Sequence, residues 1–238
     1  MIHEIQELLI RLEQENVKKR QAELNTLQAQ ITPHFLYNSL NSIKSLARMH
    51  NDDLIYKTAT SLIGLLQLSI SKNTVYITIQ EEIQMIQHYM TLQNIRYQDK
   101  IKVLYEIDEQ WLDCYTVKLV LQPLLENSIL HGLDLTEKLC IIIVRVYKAG
   151  SDICLEVEDN GKGMDAQGIE NLLSSKPPKL SSRFSGIGLI NVEERIKMHY
   201  GEHYGIEFQS IQGVNFIATI RIPQQTQAAS NSSAEVSD

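Results

Sequence analysis

The 238-residue sequence has no apolar run approaching the ~20 residues that span a bilayer, and no secretory hydrophobic region opens it. It also has no run of lysine and arginine, and its formal net charge is −7. An acidic chain of this kind offers no general nucleic-acid-binding surface. These absences predict a soluble protein with no nucleic-acid partner, and the 43% of hydrophobic residues is ample for a packed core.

Cysteine is also scarce. The three cysteines, Cys114, Cys140 and Cys154, are odd in number and scattered, with no Cys-x-x-Cys pair and no metal-ligand spacing. This pattern argues against a disulfide framework. It predicts a reducing, cytoplasmic compartment in which the cysteines pack in the core.

Glycine and proline are missing from residues 2–31, where leucine and isoleucine recur at spacings near three and four. This pattern is typical of an amphipathic or coiled-coil helix. We therefore interpret residues 1–32 as a coiled-coil signalling helix. Because Met1 leads straight into this pattern without a globular start, we expect the chain to be the soluble part of a larger protein.

Pro33 marks a change of helix face. At about 100° per residue, one sector of the following helix is apolar and the opposite sector is polar. The apolar sector holds Leu36, Leu40, Ile43 and Ala47, and the polar one holds His34, Asn38, Asn41, Ser45 and Arg48. A second amphipathic helix follows to about Ser71. Two such helices cannot bury both apolar faces alone, so we expect a four-helix bundle formed by a homodimer.

Thr78 and Glu81 have the spacing of a capping box, which predicts a third helix reaching about Tyr97. After this helix the sequence pattern is typical of mixed α/β structure, and the composition changes between about Tyr97 and Ile101. We therefore expect dimerisation and connecting helices over residues 33–98 and an α/β sandwich over residues 99–223. The polar residues 224–238 are typical of a disordered tail.

The stretch "LQPLLENSILHG", Leu121 to Gly132, has the apolar pattern of a helix within a predicted helix over 117–131. Glu126, Asn127 and His131 interrupt it with polar groups. An asparagine oxygen is a hard ligand that suits Mg²⁺, which proteins often hold with few groups plus substrate phosphates. The same pattern is equally typical of a partly exposed polar helix edge.

The stretch "VEDNGKGM", Val157 to Met164, ends an alternating strand in Asp159 and two nearby glycines. A strand-end carboxylate can accept a hydrogen bond from an exocyclic amine such as that of adenine, and glycines allow close backbone approach. Asn-Gly is also a strong hairpin signal, so a hairpin turn is an equal alternative.

The stretch "SGIGLINVEERIKMHYG", Ser185 to Gly201, carries a Gly-x-Gly into a helix, where backbone N–H groups can face phosphates. Small packing residues before a helix would look the same. Before it, "LLSSKPPKLSSRF" (residues 172–184) has the composition of a mobile lid. Its Lys176, Lys179 and Arg183 are candidate γ-phosphate contacts or solvent-facing charges.

The order and spacing of the three stretches resemble the N, G1 and G2 boxes of the ATP-binding fold shared by gyrase, Hsp90, histidine kinases and MutL. The resemblance covers about Ile101 to Pro223. With "PHFLYNSLNSI", "TIQEEIQMIQHYMTLQNIRYQDKI" and "GIGLINVEERI", the whole chain resembles the cytoplasmic region of a LytS/YesM-like sensor histidine kinase.

This resemblance implies ATP and Mg²⁺ as cofactors, with His34 as the phosphoacceptor, Asn127 on Mg²⁺ and Asp159 on adenine. It implies a membrane-anchored sensor, a homodimer and a response regulator receiver domain as partner. Asn38, one turn after His34, either orients a water in dephosphorylation of the regulator or makes polar contacts only. The implied pocket also includes His131, Asn160, Gly161, Gly163, Lys179, Arg183, Gly186, Gly188 and Leu189.

Phe35 stands where commoner histidine kinases have an acidic base after the histidine. We expect Glu126, beside Asn127, either to act as that base or to order metal-bound water. Two alternatives to a histidine kinase remain, a nucleotide-binding kinase switch of the anti-sigma type and a pseudokinase scaffold. His34 in its motif argues against the first, and intact Asn127, Asp159 and glycine pairs argue against the second.

Overall fold

In a computed structural model of the chain, residues 33–70, 74–132, 139–173 and 185–226 are described. The chain forms two compact units that divide between Ile70 and Ser71. The predicted signalling helix at 1–32 lies outside the described residues, as do residues 174–184 of the predicted lid and 227–238 of the predicted tail.

The first unit is a helical hairpin of α1 (Pro33–Met49) and α2 (Asp53–Ile70). Asn51, with φ 54°, turns the chain between them in the left-handed conformation that asparagine tolerates. The Asp52 carboxylate then accepts a hydrogen bond from the Ile55 N–H at 2.9 Å, which caps the start of α2. Ala47, Ala59 and Ile63 are buried between the helices.

The second unit begins with a small antiparallel sheet and a capped helix. Strand β1 (Tyr76–Thr78) pairs with β3 (Tyr115–Val117), and α3 spans Ile79–Arg96. The predicted capping box is present, since the Glu81 N–H donates to Thr78 Oγ1 at 3.1 Å and the Thr78 N–H donates to Glu81 Oε2 at 2.9 Å. The third predicted helix is therefore confirmed.

The boundary between the two compact units lies before α3, whereas the predicted modules divide after it, between residues 98 and 99. Helix α3, which the composition break grouped with the first module, packs its apolar side into the core of the second unit through Ile79, Ile83, Ile86 and Met90. Burial of this apolar stripe, rather than a change in local composition, decides where a helix belongs.

The main sheet has five strands in the order β2-β4-β5-β7-β6. Strands β2 and β4 are parallel and the other neighbours are antiparallel, so the sheet is mixed. The strands are β2 (Ile101–Ile107), β4 (Cys140–Ala149), β5 (Asp152–Asp159), β6 (Gly205–Ile211) and β7 (Asn215–Pro223). One face packs with α3, α4 (Leu121–Asn127) and α6 (Ser185–Tyr200) in a shared apolar core. Helix α5 (Ala166–Leu173) lies between β5 and α6 in the chain.

Two local predictions change. The helix expected over 117–131 begins only at Leu121, because Tyr115–Val117 pairs as β3 and Leu119 adopts φ 62°. After Asn127 the backbone widens into a π turn, Ser128–Gly132. The hairpin alternative at Asn160-Gly161 is wrong, since β5 pairs with β4 and β7 and is followed in the chain by α5.

The predicted packing of the cysteines in the core is confirmed. The three cysteines are free and buried, as core packing required. Strands β6 and β7 are joined by a turn at Gly213, which adopts φ 78°. Among the helices that the structure describes, none is both long enough and apolar enough to cross a membrane.

Candidate functional site

Asp159 ends the central strand β5 and is fully buried, with 0% exposure. Its Oδ1 accepts a hydrogen bond from the Gly161 N–H at 3.0 Å. Its Oδ2 is buried and has no hydrogen-bond partner among the described residues. Burial raises the pKa of the Asp159 carboxyl, while the Ser128 side chain and the Gly161 N–H act in the opposite direction. The free oxygen is a ready acceptor for an amine on a ligand.

The loop after Asp159 is held against the β6–β7 turn. Gly163 has φ 55°, and a Cβ there would lie 2.8 Å from the Asn215 carbonyl oxygen and clash with that of Ile211. The Met164 N–H donates to Ser210 Oγ at 2.9 Å, and that hydroxyl donates to the Asn215 carbonyl at 2.7 Å. Only glycine fits at position 163, so this loop has a defined path beside Asp159.

Asn160 has structural partners of its own. Its Oδ1 accepts from the Ile141 N–H at 2.8 Å, and its Nδ2 donates to the Leu139 carbonyl at 3.2 Å. The side chain thus joins the end of β5 to the start of β4. A nucleotide contact for Asn160 stays a prediction.

Helix α4 carries the polar residues of the first motif. The apolar side of α4 is buried through Leu121, Leu124 and Leu125. Glu126 lies at the edge of this side and is half-buried. Gln122 Nε2 donates to Glu126 Oε1 at 2.8 Å. Asn127 lies in the last turn of α4 and is 7% exposed, and a metal-binding role for it stays a prediction.

Glu82 is a buried acidic residue that the sequence analysis missed. Its carboxylate accepts hydrogen bonds from three consecutive backbone N–H groups at the start of α4. A signal was present, because Ile79, Glu82, Ile83 and Ile86 share the spacing of one helix face. A glutamate within an apolar stripe has to meet a buried polar partner.

Helix α6 supplies the Gly-x-Gly of the third motif. A Cβ at Gly188 would lie 3.6 Å from Pro123 Cβ of α4, an ordinary contact distance. Leu189 is 1% exposed and belongs to the core. Gly186 lies in the first turn of α6 and His131 in the π turn, whereas Lys179 and Arg183 lie outside the described residues.

His34 and Asn38 lie in the other unit, on α1. Both are exposed, and Asn38 Nδ2 is 3.2 Å from His34 Nδ1. The two residues therefore share one face of the helix, as their spacing predicted. The second unit gathers Glu126, Asn127, Asp159 and the glycines of the other two motifs.

Comparisons with known proteins match two regions of the chain to two family models, with a boundary after α3 rather than before it. A model of the histidine kinase family matches residues 22–101, and one of the "Histidine kinase-, DNA gyrase B-, and HSP90-like ATPase" family matches residues 113–226. The chain belongs to the histidine kinases, and its second unit has the fold of their ATPase domain.

Individual similar proteins indicate which group of histidine kinases the chain resembles. The chain is 40% identical to the sensor histidine kinase YesM of Bacillus subtilis over 226 residues, covering 92% of this chain and 37% of YesM. It is 34% identical to YpdA of Escherichia coli, covering 92% and 38% of the two chains. It is 31% identical to LytS of Oceanobacillus iheyensis, covering 84% and 34%. The chain thus spans little more than a third of these relatives, and the predicted LytS/YesM resemblance is confirmed.

Proposed function

We propose that the chain is an ATP-dependent protein-histidine kinase of a two-component system. It phosphorylates its own His34 and passes the phosphoryl group to an aspartate of a response regulator receiver domain. The observation that carries the proposal is the carboxylate of Asp159, buried at the end of β5 with one oxygen open to a ligand. An exocyclic amine of adenine supplies the donor that this oxygen lacks.

The residues at the site fit Mg-ATP. Asp159 would accept a hydrogen bond from the adenine amine, and Gly161 and Gly163 would line the nucleotide pocket beside it. The amide oxygen of Asn127 is suited to Mg²⁺, which takes few protein ligands in addition to phosphate oxygens. When bound, Mg²⁺ neutralises charge on the phosphates. We propose His131, Gly186, Gly188 and Leu189 as further parts of the pocket, with Lys179 and Arg183 as phosphate contacts.

The chemistry at His34 follows from its exposure. A ring nitrogen with a free lone pair forms a bond to the γ-phosphorus, the bond from that phosphorus to the β,γ-bridging oxygen breaks, and ADP leaves. The attacking nitrogen carries no proton, so the ring becomes positively charged when the bond forms, and the proton on the other ring nitrogen is then released. Catalysis by the chain is then chiefly positioning, as in other phosphoryl transfers. Asn38 contacts the ring and either orients it and a hydrolytic water or only makes polar contacts.

Phe35 is 67% exposed and has no acidic group, so the base has to come from elsewhere. We propose that Glu126, next to Asn127, accepts the proton, with ordering of metal-bound water as the alternative role. General-base help contributes roughly 10²–10⁴-fold. Single-turnover rates of Glu126→Gln across a Mg²⁺ titration separate the two, because only loss of a base slows the reaction at saturating Mg²⁺.

The partners are proposed from the first unit and from the relatives. Large apolar residues on α1 and α2 remain on the surface of the single chain, which supports a homodimeric four-helix bundle. The names of the relatives support a sensor role, with this chain as the cytoplasmic region of a membrane-anchored protein and a response regulator as its phosphoryl acceptor.

The test is phosphorylation with γ-labelled ATP. The wild-type chain should acquire an acid-labile, base-stable label, as expected of a phosphoramidate, and His34→Gln should acquire none. His50→Gln, at an exposed histidine in the turn after α1, is the matched control and should label normally. Undiminished labelling of His34→Gln would refute the assignment, and an acid-stable label would favour the anti-sigma type of kinase.

A further inference from the structure

Glu82 lies on α3 and is 1% exposed. Its Oε2 accepts from the Leu119 N–H at 2.9 Å, and its Oε1 accepts from the N–H groups of Val120 and Leu121 at 2.8 and 2.9 Å. The first N–H groups of a helix have no partner within the helix. Val120, the N-cap residue of α4, makes no side-chain cap. A residue of another helix therefore caps α4.

Groups on three helices, α3, α4 and α6, determine the electrostatic environment of the Glu82 carboxylate. Burial raises the pKa of the Glu82 carboxyl, and its three backbone hydrogen bonds and Arg195 act in the opposite direction. The guanidinium of Arg195, on α6, donates to the Lys118 carbonyl just before α4. The start of α4 is thus held by a carboxylate from α3 and a guanidinium from α6.

The backbone that Glu82 holds is itself unusual. Leu119 has φ 62°, a left-handed conformation that costs a bulky residue free energy and persists only where neighbouring contacts fix it. Its N–H is one of the three donors to Glu82. Removal of the carboxylate therefore releases the turn between β3 and α4 as well as the helix start.

The site residues lie at the other end of the same short helix. Helix α4 has seven residues, so Glu126 and Asn127 are less than two turns from the capped end. Helices α3 and α4 pack against each other within the same apolar core. A shift of the first turn is transmitted to Asn127 because a helix moves as a rigid element.

We propose that Glu82 is a positioning residue for phosphoryl transfer: by holding the first turn of α4 from α3, it sets the depth and direction of Glu126 and Asn127. This inference rests on the proposed function, in which Asn127 meets Mg²⁺. Partners that orient metal ligands contribute about 10- to 100-fold in metal affinity or activity. Glu82 therefore acts through α4 and does not contact the nucleotide.

The test compares Glu82→Gln with the wild-type chain and with Glu81→Gln. Glu81 is the neighbouring glutamate and serves the capping box of α3, so its variant controls for a weakened α3. Glutamine keeps the size of Glu82 but turns an amide donor toward backbone donors. Four quantities are measured: single-turnover phosphorylation of His34 per folded molecule, its Mg²⁺ requirement, Mg²⁺-free nucleotide binding, and hydrogen exchange at residues 119–121.

Glu82→Gln should phosphorylate His34 about 10- to 100-fold more slowly and require more Mg²⁺. Its residues 119–121 should exchange faster, while Mg²⁺-free nucleotide binding stays close to wild type because Asp159 is untouched. Glu82→Asp, which keeps the charge, should recover part of the rate. Glu81→Gln should resemble the wild type in all four measurements.

Wild-type rate and Mg²⁺ requirement per folded Glu82→Gln molecule would overturn the proposal. If Glu82→Gln does not fold, Glu82→Asp is judged by the same measurements. Unfolding of both would also overturn it, since Glu82 would then serve the fold rather than α4. Absence of label on the wild-type chain would instead contradict the proposed function, while hydrogen exchange at residues 119–121 would still report whether Glu82 holds the start of α4.

Discussion

Asp159 is fully buried, and only one of its two carboxylate oxygens has a partner among the described residues. A buried carboxylate without full hydrogen bonding costs free energy in the unliganded protein. The cost is consistent with a residue whose remaining partner arrives with a ligand. The Asp159 carboxylate therefore favours ligand binding at the expense of stability. A substitution at this position should change the two properties in opposite directions.

The change Asp159→Asn should weaken ATP binding and alter the pH dependence of stability. Asparagine keeps one oxygen to accept from the Gly161 N–H and turns its NH₂ toward the adenine amine. The lost acceptor should cost about 1–3 kcal/mol, or roughly 5- to 150-fold in Kd. Titration calorimetry with Mg-ATP measures this loss. Asp152→Asn, at the other end of β5, is the control and should bind normally.

The sign of the pH effect follows from the pKa of Asp159, which burial raises in the folded state. The wild-type chain therefore loses stability as pH rises from the unfolded pKa of an aspartate, about 3.9, through the higher folded pKa. Asparagine does not titrate. The free energy of unfolding of Asp159→Asn should therefore increase relative to that of the wild-type chain as pH rises through this interval. A pH-independent difference in chemical denaturation would contradict the assignment.

At the scale of elements, the site depends on how short segments are fixed at their ends. Helix α4 is capped by Glu82 from α3, and the loop after β5 is tied to the β6–β7 turn through Met164, Ser210 and Asn215. Gly163 is at the closest approach of that loop to the turn. The contact between loop and turn explains why a side chain is excluded there.

The change Gly163→Ala should destabilise the second unit more than Gly150→Ala. Both glycines have positive φ, 55° and 65°, so both substitutions strain the backbone by about 1–2 kcal/mol. Only at Gly163 does the new Cβ collide with backbone carbonyls, whereas nothing lies within 4 Å of a Cβ at Gly150. Overpacking should add about 1–3 kcal/mol. Urea denaturation of both variants measures the difference, and equal destabilisation would show that the loop yields without cost.

At the scale of the whole molecule, the first unit leaves apolar surface uncovered in a single chain. Ile43, Leu46, Leu54 and Ile55 are 45–57% exposed, although they lie on two helices that pack together. Exposed apolar residues clustered in this way mark an interaction surface. A second copy of the hairpin is the partner that the proposed function supplies.

The change Ile43→Glu should convert the dimer to a monomer, because it would place a charge within the apolar interface. Ser45→Glu, two residues on and on the polar sector of the same helix, is the matched control and should stay dimeric. Light scattering should give twice the chain mass for the wild type and the control. A wild-type monomer at roughly tens of micromolar, for an interface of ordinary size, would refute the dimer.

Local features of the fold could be predicted because they depend on near neighbours in the chain. The capping box at Thr78 and the alternating strand β5 both follow from residues within a few positions of each other. The resemblance to histidine kinases likewise depended on short motifs with characteristic spacing. The motif around Asp159 predicts its position at a strand end but not its burial.

The tertiary structure decided what depends on residues far apart in sequence. Glu82 caps a helix that starts 39 residues later, and its neighbours in the chain do not reveal that partner. Helix α3 belongs to the second unit because its apolar stripe is buried there. Helix α4 begins only at Leu121 because Tyr115–Val117 form strand β3, which pairs with β1. Side-chain periodicity specifies which face of an element is apolar. Packing in three dimensions determines what that face meets, which is how Glu82 of α3 reaches the start of α4.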